Sequence, residues 1–373
     1  MVVNHFLKWV STARVAERAA AAAALARAYV NKQLPFEDRC AAEAALTLLL
    51  DDPSSKVRAA MAEALAMSRH APIQIVSALA SDQPEVAAWV LSLSPLFSDA
   101  DLIDRVASGD ASVQSIVARR ASVSRSLAAA LAEVGDAKAG IELLGNSGAS
   151  IAAMSFRRIA ERHGHIASAR EALLAHRALP TECRHMLLVK VGEALKGSSL
   201  VVALMGKARA ERITRDACIK ASVTLIDRTD ADEHDALVEH LRLAGELTPS
   251  FVVRTVAYGK IDFFGAVLVS LTGQSRQRVT AMLAGAQNVA LSALFRQAGL
   301  APPTHAVILT ALKIWRQVAR GERVAGVQEV TWMMLRELGD KAIDGDLATL
   351  LKSIHVEELR QNARGHALAI AAA

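Results

Sequence analysis

Aromatic residues, prolines and glycines are scarce in this chain. Of its 373 residues, 4% are phenylalanine, tryptophan or tyrosine, and there are 9 prolines and 20 glycines. About one residue in five is alanine, the best helix former. Because strands are rich in aromatic and β-branched residues, this composition favours closely packed helices over sheets. The apolar content of 52% and the mixed charge exclude a mainly disordered chain.

Cysteines are few and far apart. Cys40, Cys183 and Cys218 form no CxxC pattern and no Cys/His pattern. This spacing offers neither a disulfide framework nor a zinc site. We therefore expect three buried, reduced thiols and no metal.

Long uncharged apolar runs are also missing. No stretch of about 18 residues, the length that crosses a bilayer, runs apolar without a charge. The alanine-rich N-terminal stretch is interrupted by Arg14, Glu17 and Arg18, unlike the apolar part of a signal peptide. We expect a cytoplasmic protein that does not bind membranes.

The motifs of common nucleotide-binding and hydrolytic enzymes are absent as well. There is no GxxxxGK(S/T), no GxGxxG after a strand, no GxSxG and no HExxH. Asp235 and Glu239, in the densest ionisable segment, have helical spacing, and we interpret them as an acidic first helical turn rather than as metal ligands. We predict a non-enzymatic protein with no catalytic residue, metal or cofactor. An enzyme would require residues 230–240 to meet Glu161 or His165 in space.

A repeated pattern of helix, turn and helix is present. In LTLLLDDPSSKVRAAMAEALA, Asp52 is placed to cap a helix that has Pro53 at its first position, and apolar residues recur every fourth position from Val57. Similar units follow. If Val57, Val86, Val113 and Ile151 are equivalent, the spacings are 29, 27 and 38 residues. The third interval leaves room for an extra helical turn or an inserted helix pair around residues 127–132.

The residues LDDPSSKVRAAMAEAL closely resemble the HEAT repeat, in their Asp-Pro turn and in the pair Val57 and Arg58 on the second helix. The resemblance implies an α-solenoid, in which each helix pair covers the apolar face of its neighbour and the stack presents an extended concave surface. It also implies a structural role for Arg58, because the matching arginine of HEAT repeats commonly bonds within or between repeats.

Farther along, LTPSFVVRTVAYGKIDFFGAVLVSLTG, RVTAML and ALFRQAGL resemble a bacterial family of unknown function, DUF2336. The resemblance rests on the Leu-Thr-Pro turn, the adjacent Phe263 and Phe264, the adjacent Arg278 and Val279, and the Ala-Gly-Leu ending. With the upstream repeats it covers most of residues 30–300. It implies a helical-repeat architecture and a bacterial origin, and it brings no activity and no catalytic residue.

We therefore predict an all-α protein, a HEAT-like α-solenoid of stacked helix pairs that continues into a second helical array and a C-terminal helical cap. Exposed terminal repeats would permit oligomers. The predicted parts are an N-terminal capping helix at 1–36, HEAT-like repeats at 37–178, the second helical array at 179–300 and the C-terminal helical segment at 301–373.

Several large apolar side chains lie in the C-terminal segment. Trp315, Trp332, Met333 and Met334 occur within two amphipathic helical patterns. We interpret them as core, because a stripe of this kind is more often buried than exposed. The alternative is a surface that binds a partner.

Charge supplies the candidate binding site. The formal net charge is +5, and residues 251–330 alone carry 9 basic and 3 acidic side chains. If they fall on one face, a patch suited to phosphate or to an acidic partner would form. Its members would be Arg254, Lys260, Arg276, Arg278 and Arg296. The competing interpretation is an ordinary solvated face, because few aromatic side chains are available to stack bases.

Two binding functions agree with these features. The leading prediction is a non-enzymatic helical-repeat scaffold that binds a protein partner on its concave face. The alternative is a nucleic-acid-binding protein, because HEAT-like solenoids resemble some DNA-repair glycosylases in which a basic groove holds the duplex. Convergence of the basic segments in one groove, and binding that weakens steeply with salt, would discriminate between them.

Overall fold

The computed structural model describes Trp9 and residues 12–31, 35–338 and 345–371. Within these ranges the chain forms 22 helices and no strand, which confirms the all-α helical-repeat prediction. Two compact units are present, residues 1–179 and 180–373. Much of the predicted capping segment, residues 1–8, 10, 11 and 32–34, lies outside the described residues.

The first unit consists of short helices joined by tight turns. In chain order they are α1 Val15–Val30, α2 Phe36–Leu49, α3 Ser55–Leu65, α4 Ile73–Leu79, α5 Pro84–Leu93, α6 Asp99–Ser108, α7 Ala111–Ala118, α8 Arg125–Val134, α9 Ala137–Gly145, α10 Ala153–His163 and α11 Ala167–Ala175.

These helices stack in two rows. α1, α3, α5, α7, α9 and α11 each pack on the next odd-numbered helix, and α6, α8 and α10 pack on one another in the same way. Five helix pairs, from α2–α3 to α10–α11, therefore follow one another. Each pair buries its apolar face against the next, as in α-solenoids; Val57, Met61 and Leu65 of α3 are fully buried.

The repeat register departs from the sequence prediction at one place. The helix pair α8–α9 lies between Val113 and Ile151, so of the two predicted alternatives a helix pair is present, and it continues the regular stack rather than interrupting it. The next equivalent of Val57 and Val86 is then Ala139 of α9, which is buried as they are. The assignment of Ile151 is wrong, because it precedes α10. The small side chain of Ala139 gives too weak an apolar signal to mark the repeat in the sequence.

Two arginine–aspartate pairs connect successive repeats. Arg18 of α1 donates to both carboxylate oxygens of Asp52, at 2.8 and 3.1 Å. Arg58 of α3 donates to both oxygens of Asp82, at 2.5 and 2.8 Å, so its implied structural role is confirmed. The prediction that Asp52 caps α3 is wrong. Its carboxylate is held by Arg18 and by the N–H of Ser54, at 2.9 Å, one residue before α3 begins.

The second unit has longer helices in a less regular order. The helices are α12 Thr181–Lys196, α13 Ser199–Met205, α14 Lys207–Ile226, α15 His234–Leu243, α16 Pro249–Ala257, α17 Ile261–Thr272, α18 Arg276–Gly285, α19 Asn288–Gln297, α20 Pro302–Ala319, α21 Val327–Leu338 and α22 Asp346–Ala371.

No helix in the described part of the chain is both long enough and apolar enough to cross a bilayer.

α16 forms the centre of this unit. Residues 251–257 are all buried, and the helix packs on α14, α17, α20, α21 and α22. It begins at Pro249, within the Leu-Thr-Pro turn noted in the sequence, and Thr248 Oγ1 caps it by accepting a hydrogen bond from the N–H of Phe251 at 3.2 Å. A helix surrounded on all sides is normally apolar all round. Arg254 is its one charged residue, and this exception marks the candidate site.

Most of the tryptophan and methionine stripe belongs to the core of the second unit. Met334 is fully buried, and Trp315 and Met333 are half-buried and pack against the same core. Trp332 differs, with 47% of its surface exposed. The core interpretation therefore holds for three of the four side chains.

The cysteines differ in exposure. Cys183 is buried and Cys218 is half-buried, but Cys40 is exposed, and none of the three forms a disulfide. The expectation of three buried thiols is therefore wrong for Cys40, which lies on the outer face of α2.

Candidate anion-binding site

A cavity of about 680 Å³ lies among α14, α16 and α22 of the second unit. Basic side chains dominate its charged lining. Four of the lining residues are cationic and two are acidic, which leaves a net charge of +2. The cations are Lys220, Arg254, Arg360 and Arg364, and the acids are Asp216 and Glu357.

Helical spacing brings these side chains to the cavity. Asp216 and Lys220 are four residues apart on α14, so they share one face of that helix. On α22, Glu357, Arg360 and Arg364 are separated by three and four residues, and they also form a single stripe. The charged faces of α14 and α22 therefore meet at Arg254, the one charged residue of the central helix α16.

Arg254 is the most buried of the four cations. Only 5% of its surface is exposed. Its Nη1 lies 3.6 Å from Oε2 of Glu357, while its Nε is buried and has no hydrogen-bond partner among the described residues. A buried guanidinium normally has all of its N–H groups bonded, because an unpaired buried charge is costly. Arg254 therefore retains an unused donor.

The carboxylate of Glu357 is shared between two cations. One of its oxygens accepts a hydrogen bond from Nζ of Lys220, and the other faces Arg254. Arg360 and Arg364 are exposed and form no ion pair within the described residues. The cavity can therefore accept one further anion, such as a carboxylate or a phosphate, on cations that lack a full set of partners.

Tyr258 follows α16 and is close to the same charges. Burial, and after it the neighbouring carboxylates of Glu358 and Glu357, raise the pKa of the Tyr258 hydroxyl well above its ordinary value. The hydroxyl therefore stays protonated at neutral pH. It can donate a hydrogen bond, but it cannot act as a base there.

Two members of the sequence-predicted basic patch are paired with carboxylates elsewhere in the unit. Lys260 forms an ion pair with Asp227. Arg276 lies 2.5 Å from a carboxylate oxygen of Asp235, and it lines a separate cleft. Asp235 was also half of the pair with metal-ligand spacing, and its carboxylate is engaged by an arginine.

The other members of the patch lie in different surroundings. Arg278 on α18 and Arg296 on α19 are exposed, and neither takes part in an ion pair within the described residues. Only Arg254 lines the cavity. The five residues therefore do not converge in it, and their joint action as one patch stays a prediction.

Sequence reasoning missed Lys220, Arg360 and Arg364. The charge spacing on α22 is visible in the sequence, but the same spacing occurs on many solvated helix faces. Lys220 is 137 residues from its partner Glu357. Only the packing of α14 and α22 around α16 brings these side chains together.

A second polar cluster of the unit contains a serine, a histidine and a glutamate. Nε2 of His185 lies 2.9 Å from Oγ of Ser222 and 3.2 Å from Oε2 of Glu246. A catalytic triad uses one ring nitrogen for each partner, but here both contact Nε2, and Nδ1 has no partner among the described residues. Ser222 donates its proton to the carbonyl of Cys218, at 2.8 Å. The geometry therefore does not match a catalytic triad, and the hydrogen bond from His185 lowers the pKa of Glu246.

Comparison with known proteins identifies a family. The family described as an uncharacterised protein conserved in bacteria (DUF2336) matches residues 86–342. The match covers more than half of the chain, so the chain belongs to this family, as its resemblance implied. No curated protein and no solved structure matches the chain significantly. α14 and α16 lie within the matched segment, while α22 follows it.

Proposed function

We propose that this member of the DUF2336 family is a non-enzymatic helical-repeat scaffold that binds an acidic segment of a protein partner in the cavity among α14, α16 and α22. The observation that carries the proposal is Arg254. Its guanidinium is buried, its Nε has no hydrogen-bond partner among the residues that the structure describes, and it shares one carboxylate with Lys220. An aspartate or glutamate side chain of a partner would supply the missing acceptor.

The size of the cavity favours a peptide side chain over a duplex. Its volume of about 680 Å³ lies in the range of sites that enclose small ligands. Non-specific duplex binding draws on many phosphate contacts along an extended basic surface. Three of the five predicted patch cations face carboxylates of the chain itself, which reduces the basic surface available to a duplex.

The proposal is tested with fluorescein-labelled hexaglutamate peptide, with hexaglutamine as the uncharged probe and a random-sequence DNA duplex as the nucleic-acid probe. The double variant Arg360→Gln/Arg364→Gln removes two exposed cavity cations. The matched control, Arg278→Gln/Arg296→Gln, removes two exposed cations of the same unit that lie outside the cavity. Affinities are measured by fluorescence anisotropy at low and at physiological salt.

We expect hexaglutamate to bind, hexaglutamine not to bind, and the cavity variant to lose about tenfold in affinity, while the control stays close to wild type. Absence of hexaglutamate binding at low salt would overturn the proposal. An equal loss in both variants would place binding on the general surface charge. Tighter binding of the duplex, with a steep salt dependence, would favour the nucleic-acid function instead.

A further inference from the structure

The second unit contains a cleft that is separate from the anion-binding cavity. It has a volume of about 460 Å³ and lies among α17, α18, α20 and the start of α15. Leu283 and Leu312 in its base are buried, and Ala284 on its rim is exposed. A cleft of this volume with a mainly apolar lining has the character of a small-molecule site.

The walls of the cleft are already held in place. Trp315 donates its indole N–H to the carbonyl of Val256 at 2.9 Å. Its ring lies against Gly259, where a Cβ atom would approach it to 3.1 Å. Arg316 donates to the carbonyls of Leu283 and Met282, at 2.6 and 3.0 Å. These contacts fix both side chains, so a ligand would meet a preformed surface.

His234 supplies an unused polar group at the same place. It lines the cleft, it is only 7% exposed, and its ring meets that of Phe263 edge-on at 5.4 Å. Its Nδ1 is buried and has no hydrogen-bond partner in the described part of the chain. Buried side-chain nitrogens nearly always have a partner in native structures. A missing ligand would account for this exception.

The charged groups around the cleft favour an uncharged ligand. Arg276 is paired with Asp235 at 2.5 Å, and Arg316 is committed to the carbonyl groups at the end of α18. Asp262, the remaining charged residue of the lining, is solvent-exposed. None of them offers a buried, unpaired charge to a ligand.

We propose that this cleft binds a small, uncharged, apolar ring compound with one hydroxyl group, which forms a hydrogen bond with Nδ1 of His234. A hydroxyl can donate and accept, so it pairs with Nδ1 in either tautomer of the imidazole. The ring occupies the apolar space beside Trp315 and Leu312. This site is independent of the function proposed above, because none of its lining residues lines the anion-binding cavity.

The first test compares β-naphthol with naphthalene, its parent hydrocarbon, by equilibrium dialysis against the full chain. We expect saturable binding at one site, with β-naphthol bound about fivefold more tightly because of the added hydrogen bond. His234→Phe keeps the ring shape and removes Nδ1. It should retain naphthalene binding and abolish the preference for β-naphthol. Absence of saturable binding of both compounds, or a preference that survives in His234→Phe, would overturn the proposal.

The second test closes the cleft. Ala284→Trp places a large side chain on its exposed rim, and Ala293→Trp is the matched control, an exposed alanine on α19 outside the cleft. Ala284→Trp should weaken both compounds at least about tenfold, and the control should bind as wild type does. Circular dichroism and thermal unfolding check that both variants are folded. Undiminished binding in a folded Ala284→Trp variant would contradict the assignment of the site.

Discussion

The two units of the chain organise helices in different ways. In the first, each helix pair packs on the next, and polar contacts repeat at the turns, as in Arg58 with Asp82. In the second, several helices surround α16, so side chains that are far apart in the sequence meet, as Lys220 and Glu357 do. In stacked repeats the polar contacts are spread along the array, whereas around a central helix polar side chains from several helices lie close together. The candidate anion-binding cavity and the apolar cleft both belong to the second arrangement.

Arginines show the same contrast. In the first unit, Arg120 donates to the carbonyls of Leu91 and Ser94. Arg162 donates to the carbonyls of Ala132 and Gly135, at 2.9 and 2.7 Å. These guanidinium groups bond backbone of a preceding repeat and hold the stack together. Arg254 in the second unit bonds no backbone carbonyl of the described residues, and it faces a carboxylate that is shared with another cation. Arg254 thus faces a side-chain carboxylate, whereas the two repeat arginines bond backbone carbonyls.

The largest expected effect comes from truncating one core side chain in each unit. Phe264 is fully buried and packs against Phe295 with ring centres 5.9 Å apart, and Leu127 is equally buried in α8. We expect Phe264→Ala to lower the free energy of unfolding of the second unit by about 3–5 kcal/mol and Leu127→Ala to cost the first unit about 2–5 kcal/mol.

Hydrogen–deuterium exchange measured by mass spectrometry should show how far the loss of protection extends from each substituted residue. Because neighbouring repeats contact only one another, Leu127→Ala should weaken protection in α8 and the adjacent helices. Phe264→Ala should weaken it throughout α16 to α20, since these helices share one core. A loss of protection spread evenly over the described residues of the first unit in Leu127→Ala would contradict the view that each repeat is stabilised mainly by its neighbours.

A smaller effect is expected from Arg58→Met, which removes the main partner of Asp82. The side chains of Arg58 and Asp82 are 12% and 15% exposed, and we expect a loss of about 1–3 kcal/mol in the stability of the first unit. Urea unfolding measures this loss. Arg69→Met is the control, because Arg69 is exposed and forms no ion pair within the described residues.

The effect of Arg58→Met should depend on pH. The hydrogen bond from Arg58 lowers the pKa of Asp82 below its ordinary value of 3.8. The pair therefore stabilises the folded state fully above that value, and the contribution is lost as the pH falls through the lowered pKa. The stability difference between wild type and Arg58→Met should narrow in that acid range. A difference that stays constant there would mean that the arginine acts through packing and through its hydrogen bond to the carbonyl of Asp52, not through the charge of Asp82.

The smallest effect concerns the anion-binding cavity and rests on the proposed function. Glu357→Gln removes the carboxylate shared by Lys220 and Arg254, so hexaglutamate should bind about threefold more tightly. Glu358→Gln is the matched control, because it changes the neighbouring residue by the same charge and Glu358 does not line the cavity. Anisotropy titrations measure both affinities. An unchanged or weaker affinity in Glu357→Gln alone would show that Glu357 does not compete with the ligand.

Much of the fold could be predicted from local patterns in the sequence. The Thr248 and Pro249 start of α16 was predictable, because a cap depends on residues a few positions apart. The bonding of Arg58 between repeats was implied by the resemblance to HEAT repeats. Predictions from local pattern were wrong where a side chain bonds a residue far away in the sequence, or where a repeat position carries a small side chain. Asp52 has the position of a cap, but Arg18 takes its carboxylate. Ala139 occupies the repeat position of α9, but its side chain is too small to give a clear apolar signal in the sequence.

The candidate site was less predictable than the fold. Arg254 stood out as a basic residue, but its grouping with Lys260 and Arg276 assumed that residues close in the sequence share a surface. The structure instead gives those two their own carboxylate partners, Asp227 and Asp235.

The all-helical class was predictable from the sequence alone, because helix propensity and apolar periodicity act over short distances; the stacking of helix pairs and the family were implied by resemblances. The meeting of Lys220, Arg254 and Glu357 in one cavity depends instead on how α14 and α22 pack around α16. The partner of a charged side chain on an exposed helix face cannot be predicted from the local sequence pattern. It depends on which helices come together when their apolar faces pack, and this packing determines which cations form ion pairs.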